Sequence, residues 1–186
     1  MRLVLTISFV MAIIPLPWRD EAPPPPATGP VFTGAALVRP EGYHTWPLVG
    51  ASLGLSYAET PQGSGPGAFH RVYMNPSSYE AYGRTGTFPD GTMFILELYA
   101  AHEKTAPAKG GFFEGPRVGL EASVKDTRRF KSGWAYFGFE NGARATATAF
   151  PEGRCHSCHV DHAARDSVFV QSVSYTHLTL PTILLV

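Results

Sequence analysis

The fold of this 186-residue chain is decided by the stretch FPDGTMFILELY at residues 88–99. Its Pro-Asp-Gly segment has the chemistry of a tight turn. The residues that follow are rich in β-branched, aromatic and other apolar side chains that favour a strand. Because side chains alternate along a strand, Phe94, Leu96 and Leu98 share one face. The stretch therefore predicts a turn followed by a strand that belongs to a sheet.

The same alternation of strand-like and turn-like segments extends in both directions. Strands are predicted at 69–74, 92–99, 120–124 and 134–139, a short helix at 77–84, and loops at 54–70 and 104–117. Asn141-Gly142 is the best hairpin signal, with a weak strand expected after it at 143–149. We expect a sheet-dominated α+β domain with few helices.

The motif CHSCH at residues 155–159 contains the only two cysteines of the chain. The pattern C-x-x-C-H is typical of covalent c-type haem attachment. Cys155 and Cys158 would bind the porphyrin, and His159 would then lie below the iron as its axial ligand. We interpret the motif as the site of one covalent haem c per chain.

Two other chemistries use closely spaced cysteines. His156, His159 or His162 could complete a zinc site with the two thiols, but ligands this close in sequence rarely close a tetrahedron alone. A redox dithiol usually opens a helix within a βαβ unit, a pattern that this sequence lacks.

The remaining segments divide the chain into four parts. Arg2, an apolar run at 3–14 and two prolines have the layout of a signal peptide, assigned to 1–17. Export fits haem c, which bacteria attach outside the cytoplasmic membrane, so we expect a periplasmic protein. A Pro-rich linker follows at 18–40, where consecutive prolines favour polyproline II. The haem domain occupies 41–172.

The last segment, 173–186, begins VSYTHLTLPT. Those letters are the translation of a transposon-end adaptor used in sequencing libraries. We interpret the segment as adaptor read-through and not as native sequence. The whole chain carries fifteen basic and fifteen acidic residues. Without a basic stripe, it is not expected to bind nucleic acid.

Several motifs, taken in order, resemble those of the cytochrome P-460 family. They are HTWP at 44–47, HRVYMNP at 70–76, FPDGT at 88–92, VKD at 124–126, GW at 133–134, CHSCH at 155–159 and DSVF at 166–169. The resemblance implies a mainly antiparallel sheet with a few flanking helices, one covalent haem with an open iron position, and a homodimer.

The resemblance also implies alternatives in function. Cytochromes P-460 oxidise hydroxylamine and cross-link a lysine to the porphyrin, whereas cytochromes c′-β lack the cross-link and bind nitric oxide. At the equivalent position this chain has Leu96, and the nearest lysines are Lys104 and Lys109. We therefore expect a small diatomic or nitrogenous ligand. The alternatives are an electron carrier with a redox partner protein and two protein axial ligands, and a hydroxylamine-oxidising enzyme.

Other residues are candidates for the haem pocket. Phe94 and Leu96 are expected to wall its distal side, and Trp134 to pack against the haem region. Arg71 is expected to bind a haem propionate, with a surface ion pair as the alternative.

Three more residues are weighed for this pocket. Glu97 is either a distal acid or a solvent-facing charge. Met74 or Met93 is a candidate sixth ligand, although methionine more often fills space in a core. Lys125-Asp126 and Arg128-Arg129 are expected in a solvated turn.

Overall fold

The computed structural model describes residues 29–56, 65–103 and 106–169. The predicted signal peptide, the linker up to residue 28 and the predicted read-through segment lie outside the described residues. No helix in the described ranges is long and apolar enough to cross a membrane.

Eight strands and two helices follow one another along the described ranges. The strands are β1 (Phe32–Thr33), β2 (Ala36–Val38), β3 (Leu48–Leu53), β4 (Ala68–Met74), β5 (Met93–Glu103), β6 (Phe112–Lys125), β7 (Trp134–Gly138) and β8 (Thr146–Ala147). The helices are α1 (Pro76–Thr85) and α2 (Glu152–His162), and single 3-10 turns lie at Tyr43–Thr45 and Glu140–Gly142.

The strands form two sheets, both antiparallel. One has the order β1-β2-β8, and the larger one has the order β3-β4-β5-β6-β7. The predicted α+β fold with a mainly antiparallel sheet is confirmed. Strand β5, which contains most of the opening stretch, is the central strand of the five.

Side chains of β5 bury into a different core on each side of the large sheet. Met93 and Ile95 are 1% exposed and share a core with the small sheet, which contributes Leu37 and Ala147. Phe94 packs on the other side. That second core contains Tyr82 and Phe88, whose rings stack 4.1 Å apart. Each face of β5 is thus covered by a hydrophobic core, which explains why apolar side chains occur on both faces of this strand.

Helix α1 confirms the predicted short helix. Pro76 occupies its first turn, where a missing backbone N–H costs nothing. Gly86 ends it in the left-handed conformation, with φ of 69°. Helix α2, which carries the CHSCH motif, had no sequence prediction.

Three predictions about connections are wrong. The loop at 104–117 is shorter, because β6 already begins at Phe112, and the loop at 54–70 gives way to β4 at Ala68. The hairpin predicted at Asn141-Gly142 does not form, because β7 and β8 are not paired as neighbouring strands. Strand β8 pairs with β2, and only an isolated bridge joins Phe137 to Ala149. The short β8 therefore closes the small sheet instead of extending the large one.

Candidate functional site

A cavity of about 330 Å³ lies between helix α2 and the outer face of the large sheet. Every strand of that sheet contributes to its lining, together with the end of α2 and residues 167–169. Its apolar side chains include Val49, Leu55, Val72, Phe94, Leu96, Val168 and Phe169. An apolar slot of this kind suits a large planar cofactor, because most of such a molecule is hydrophobic.

The motif residues lie where helix α2 meets this cavity. Cys155, Cys158 and His159 are spaced by three and four residues, which brings them to one side of a helix. Cys158 and His159 line the cavity, and Cys155 packs against the neighbouring core. Both thiols are free. Burial raises the pKa of the Cys155 thiol, and the nearby Glu121 carboxylate raises it further.

One ring nitrogen of His159 is already occupied. Its Nδ1 lies 2.8 Å from the carbonyl oxygen of Ser167, and only a protonated Nδ1 can donate to a carbonyl. This bond fixes the tautomer in which Nε2 carries the free lone pair. Burial lowers the pKa of His159, although the bond to Ser167 opposes that shift. The ring is therefore held neutral, as a metal ligand must be.

The segment that supplies this carbonyl is held by two neighbouring strands. Lys125 donates to Asp166 at 2.6 Å and to the carbonyl of Phe88 at 2.8 Å. Trp134 donates from its indole nitrogen to the same carboxylate at 3.2 Å. The predicted solvated turn is confirmed for Arg128 and Arg129, which are exposed and lie in a turn. It is wrong for Lys125, which ends β6 and whose side chain is only 17% exposed.

Phe94 and Leu96 both line the cavity, where the sequence places them. Trp134 lies behind this wall. It is 3% exposed and stacks on Phe94 with ring centroids 6.1 Å apart. The structure therefore brings Phe94 and Leu96 together with the CHSCH motif and places Trp134 one layer further back.

Arg71 lies elsewhere. It is a neighbour of His70 on β4 and therefore points to the opposite face, where it forms a two-pronged ion pair with Glu114. Arg71 is not among the cavity-lining residues. Its placement matches the ion-pair alternative and gives the propionate assignment no support.

Glu97 is neither a distal acid nor a solvent-facing charge, so both sequence interpretations are wrong. It is 0% exposed and lies on the face away from the cavity. Its Oε1 accepts from Tyr43 at 2.6 Å and from Arg117 at 3.2 Å, and lies 3.1 Å from His44 Nε2. Burial alone would raise the pKa of Glu97, but these hydrogen bonds outweigh it and lower the pKa.

The two candidate methionines are core residues. Met74 is 0% exposed and Met93 is 1% exposed, and each packs in one of the two hydrophobic cores. Neither is among the residues that line the cavity. Their side chains fill space, which was the alternative interpretation.

The sequence did not predict the polar groups that line the cavity, among them Ser52, His70 and Glu121. On β4, His70 lies with its Nδ1 3.2 Å from Ser52 Oγ on β3, and burial lowers the pKa of His70. On β6, burial raises the pKa of Glu121, with Arg154 opposing the shift. All three line the cavity. The distal wall is therefore less uniformly apolar than the sequence indicates.

The signal for these residues was present but ambiguous. Glu121 and Ser123 alternate with Leu120, Ala122 and Val124, a pattern that normally marks a strand with one solvent-facing side. Here the polar side faces a cavity covered by α2. Only the position of that helix distinguishes the two cases.

A buried hydroxyl also indicates that this cavity accommodates a cofactor. Tyr136 is 8% exposed and its ring lies 4.5 Å from that of His159. Its hydroxyl has no hydrogen-bond partner among the described residues. Buried polar groups are normally satisfied. Together with the neutral His159, the two thiols and the apolar walls, this group fits a porphyrin in the cavity.

In the described part of the chain, the zinc site considered for the two cysteines does not have the required arrangement of ligands. Within residues 29–56, 65–103 and 106–169, no three side chains of His, Cys, Asp or Glu come together in a way that could hold a metal ion.

Comparison with known proteins adds one match. The family model described as Cytochrome P460 matches residues 40–170, well over half of the chain. No curated protein matches the chain. The matched range contains the whole large sheet, strand β8 of the small sheet, the cavity and the CHSCH motif.

Proposed function

Because the chain belongs to the cytochrome P460 family, we propose that it is an exported monohaem c-type cytochrome that binds a small ligand such as nitric oxide, or detoxifies reactive nitrogen species. The family implies a haem cofactor. The finer parts of the proposal are covalent attachment at Cys155 and Cys158, axial ligation by His159 and an open position on the iron.

The observation that carries the proposal is the hydrogen bond from His159 to Ser167. It leaves Nε2 free to ligate a metal, on a ring that lies on the cavity wall. Metal-ligating histidines usually donate their other N–H to a carbonyl or carboxylate, which fixes the ring and raises its basicity. When bound, the haem would supply the iron on which a diatomic ligand binds.

The protein's own residues would select that ligand. Val72 and Leu96 are register partners on β4 and β5, and both line the cavity. This apolar part of the wall offers no solvation to an anion, so an anion placed against it would lose its hydration without compensation. The carboxyl of Glu121 can hold a proton at the same wall or, once ionised, repel an anion. A neutral diatomic avoids both costs.

His70 is the one observation that favours the electron-carrier alternative. It supplies an imidazole to the cavity, and burial keeps that imidazole neutral. If it ligates the iron, both axial positions are filled by protein. The hydroxylamine-oxidising alternative needs a lysine at the porphyrin, and no lysine lines the cavity among the described residues. Lys104 lies outside the described residues.

The proposal extends to location and assembly. The signal peptide at 1–17 is the basis for a periplasmic location, and the family resemblance is the basis for a homodimer. A redox partner protein would be required mainly by the electron-carrier alternative.

An absorption spectrum of the haem-loaded protein, oxidised and reduced, before and after addition of nitric oxide, tests these functions. We expect a reduced spectrum that changes on adding nitric oxide. A six-coordinate low-spin spectrum that nitric oxide leaves unchanged in wild type, but alters in His70→Ala, would favour the carrier instead.

The ligation by His159 has a matched control in the same helix. His159→Ala should change the spectrum, and His156→Ala should leave it close to that of wild type. If the two variants behave in the reverse way, His156 is the ligand and the proposed geometry is wrong.

A further inference from the structure

We infer that Asp166 is a positioning residue for the axial ligand: it fixes the turn 165–168 so that the Ser167 carbonyl bonds to His159, and thereby helps to set the reduction potential of the iron. The inference rests on the proposed ligation by His159. The contacts involved join three sequence motifs, because Lys125 of VKD (124–126) and Trp134 of GW (133–134) both donate to Asp166 of DSVF (166–169).

The turn has an unusual backbone. The N–H of Val168 donates to the carbonyl of Arg165 at 2.8 Å, and the two residues between them have positive φ, 49° at Asp166 and 57° at Ser167. Positive φ at both central positions is the pattern of a type I′ turn, whose second central position is usually glycine. A serine there is unfavourable, so the surroundings must hold it in place.

The Asp166 carboxylate provides that hold. Its Oδ1 accepts from the indole N–H of Trp134 at 3.2 Å, and its Oδ2 accepts from Lys125 at 2.6 Å. Trp134 is 3% exposed, and a buried indole N–H requires an acceptor. Lys125 and Trp134 are register partners on β6 and β7, so both donors come from the packed sheet.

The other end of the turn is tied to helix α1. Arg165 donates to the carbonyl of Gly86 at 2.9 Å. Beyond the turn, Phe169 packs against the His159 ring at 4.6 Å between centroids. The segment that carries the Ser167 carbonyl is therefore held at both ends. These contacts restrain the distance between that carbonyl oxygen and His159 Nδ1.

This bond matters for the electronic state of the iron. A hydrogen bond that draws on Nδ1–H makes the imidazole more basic, and a more basic ligand stabilises the oxidised metal. Releasing the turn weakens the bond, so the reduced state becomes relatively more stable. The same contacts in a purely structural role would change the melting temperature and leave the potential alone.

The test is a spectroelectrochemical titration of the haem-loaded Asp166→Ala variant. Removing a hydrogen bond to a metal-ligating histidine typically costs about 10–100-fold in metal affinity or activity. We take the smaller value as the change in the relative stability of the two iron oxidation states. We therefore expect the equilibrium between reduced and oxidised iron to shift about tenfold toward the reduced form, roughly 59 mV upward for a one-electron couple. Asp166→Asn keeps an acceptor for Trp134 and should shift the potential less.

Two further variants complete the test. Ser167→Gly keeps the carbonyl and suits a positive φ, so its potential should equal that of wild type. Trp134→Phe removes the N–H donor together with part of the ring, so it also lowers the melting temperature, and the potential remains the readout that distinguishes positioning from packing. It tests the same contact if Asp166→Ala does not fold. An upward shift in Trp134→Phe supports the inference.

Unchanged potentials in Asp166→Ala or Trp134→Phe, with only a lower melting temperature, would overturn the positioning role while leaving His159 as the ligand. If His159→Ala does not alter the spectrum, the proposed ligation fails and this inference falls with it.

Discussion

Leu96 on β5 lies directly opposite Glu121 on β6, and both side chains line the cavity. The position at which the family resemblance leads one to expect a lysine is thus occupied by a leucine next to a buried carboxyl. A lysine at that register position would have faced an opposite charge. Leucine offers Glu121 no charge partner at that register position, and burial raises the pKa of Glu121.

The raised pKa of Glu121 predicts a pH dependence of stability. The carboxyl of an unfolded glutamate has a pKa of about 4.3. Because the folded pKa is higher, the folded chain binds more protons than the unfolded chain between the two values, and stability falls as pH rises through that window. Glu121→Gln stays neutral, so its urea midpoint should exceed that of wild type increasingly as the pH rises above the unfolded pKa.

Glu80 is the matched control for that prediction, because it is an exposed glutamate on α1. Glu80→Gln should follow the wild-type midpoint across the pH range. A Glu121→Gln profile parallel to that of wild type would mean that the carboxyl is well solvated in the folded protein.

Covalent attachment of haem depends on the two thiols of α2. The double substitution Cys155→Ser, Cys158→Ser should yield protein whose haem is removed by acid-acetone extraction, because a hydroxyl does not form the thioether bond. The wild-type protein should retain its haem through the same treatment. Haem that stays with the doubly substituted polypeptide would show that the attachment is at another residue.

The buried carboxylate of Glu97 should contribute strongly to stability. Glu97→Ala leaves Tyr43 and Arg117 without their acceptor on the closed face of the sheet. Arg117 is 30% exposed and keeps its hydrogen bonds to Asn141, so the main cost is that of leaving the buried Tyr43 hydroxyl without its acceptor, about 1–3 kcal/mol of unfolding free energy. Urea denaturation should show that loss.

The ion pair between Arg71 and Glu114 is the natural comparison for Glu97. Its side chains are 40% and 26% exposed, so Glu114→Ala should cost only about 0–1 kcal/mol. Equal losses in Glu97→Ala and Glu114→Ala would contradict the difference in burial between the two carboxylates.

These residues also indicate what the sequence could and could not predict. Strand alternation placed Phe94 and Leu96 on one face, and the cysteine spacing located the motif at the cavity. Alternation alone does not say which face is solvated, because both faces of the large sheet are covered. Glu97 could therefore be expected only as a distal acid or a solvent-facing charge, whereas it is buried in a polar cluster, and the cavity-lining position of Glu121 was not predicted.

The pairing of strands that lie far apart in the chain could not be predicted from the sequence either. Strand β8 is two residues long and pairs with β2, more than a hundred residues earlier in the chain. Nothing in its local composition distinguishes that partner from β7, so the Asn-Gly turn suggested a hairpin. The link from Asp166 to Trp134 and Lys125 likewise depends on register between β6 and β7 that the motifs do not encode individually.

The absence of a lysine at position 96 predicts a haem with two covalent bonds and no third. Mass spectrometry of a haem-containing proteolytic peptide should show the peptide that includes Cys155 and Cys158, and no bond to Lys104 or Lys109. A third bond at either lysine would restore the hydroxylamine-oxidising alternative. Hydroxylamine turnover should correspondingly be slow or absent in the wild-type protein.

Leu96 should also control access of the ligand to the cavity. Leu96→Ala removes part of the wall between Val72 and Glu121, its two register partners, so nitric oxide should associate with the reduced protein faster than with wild type. Leu98→Ala is the matched control, because Leu98 lies on the same face of β5 but is not among the cavity-lining residues. Stopped-flow mixing gives both rates. Equal acceleration in the two variants would indicate general loosening of β5, and no acceleration in Leu96→Ala would mean that the ligand enters by a path that Leu96 does not border.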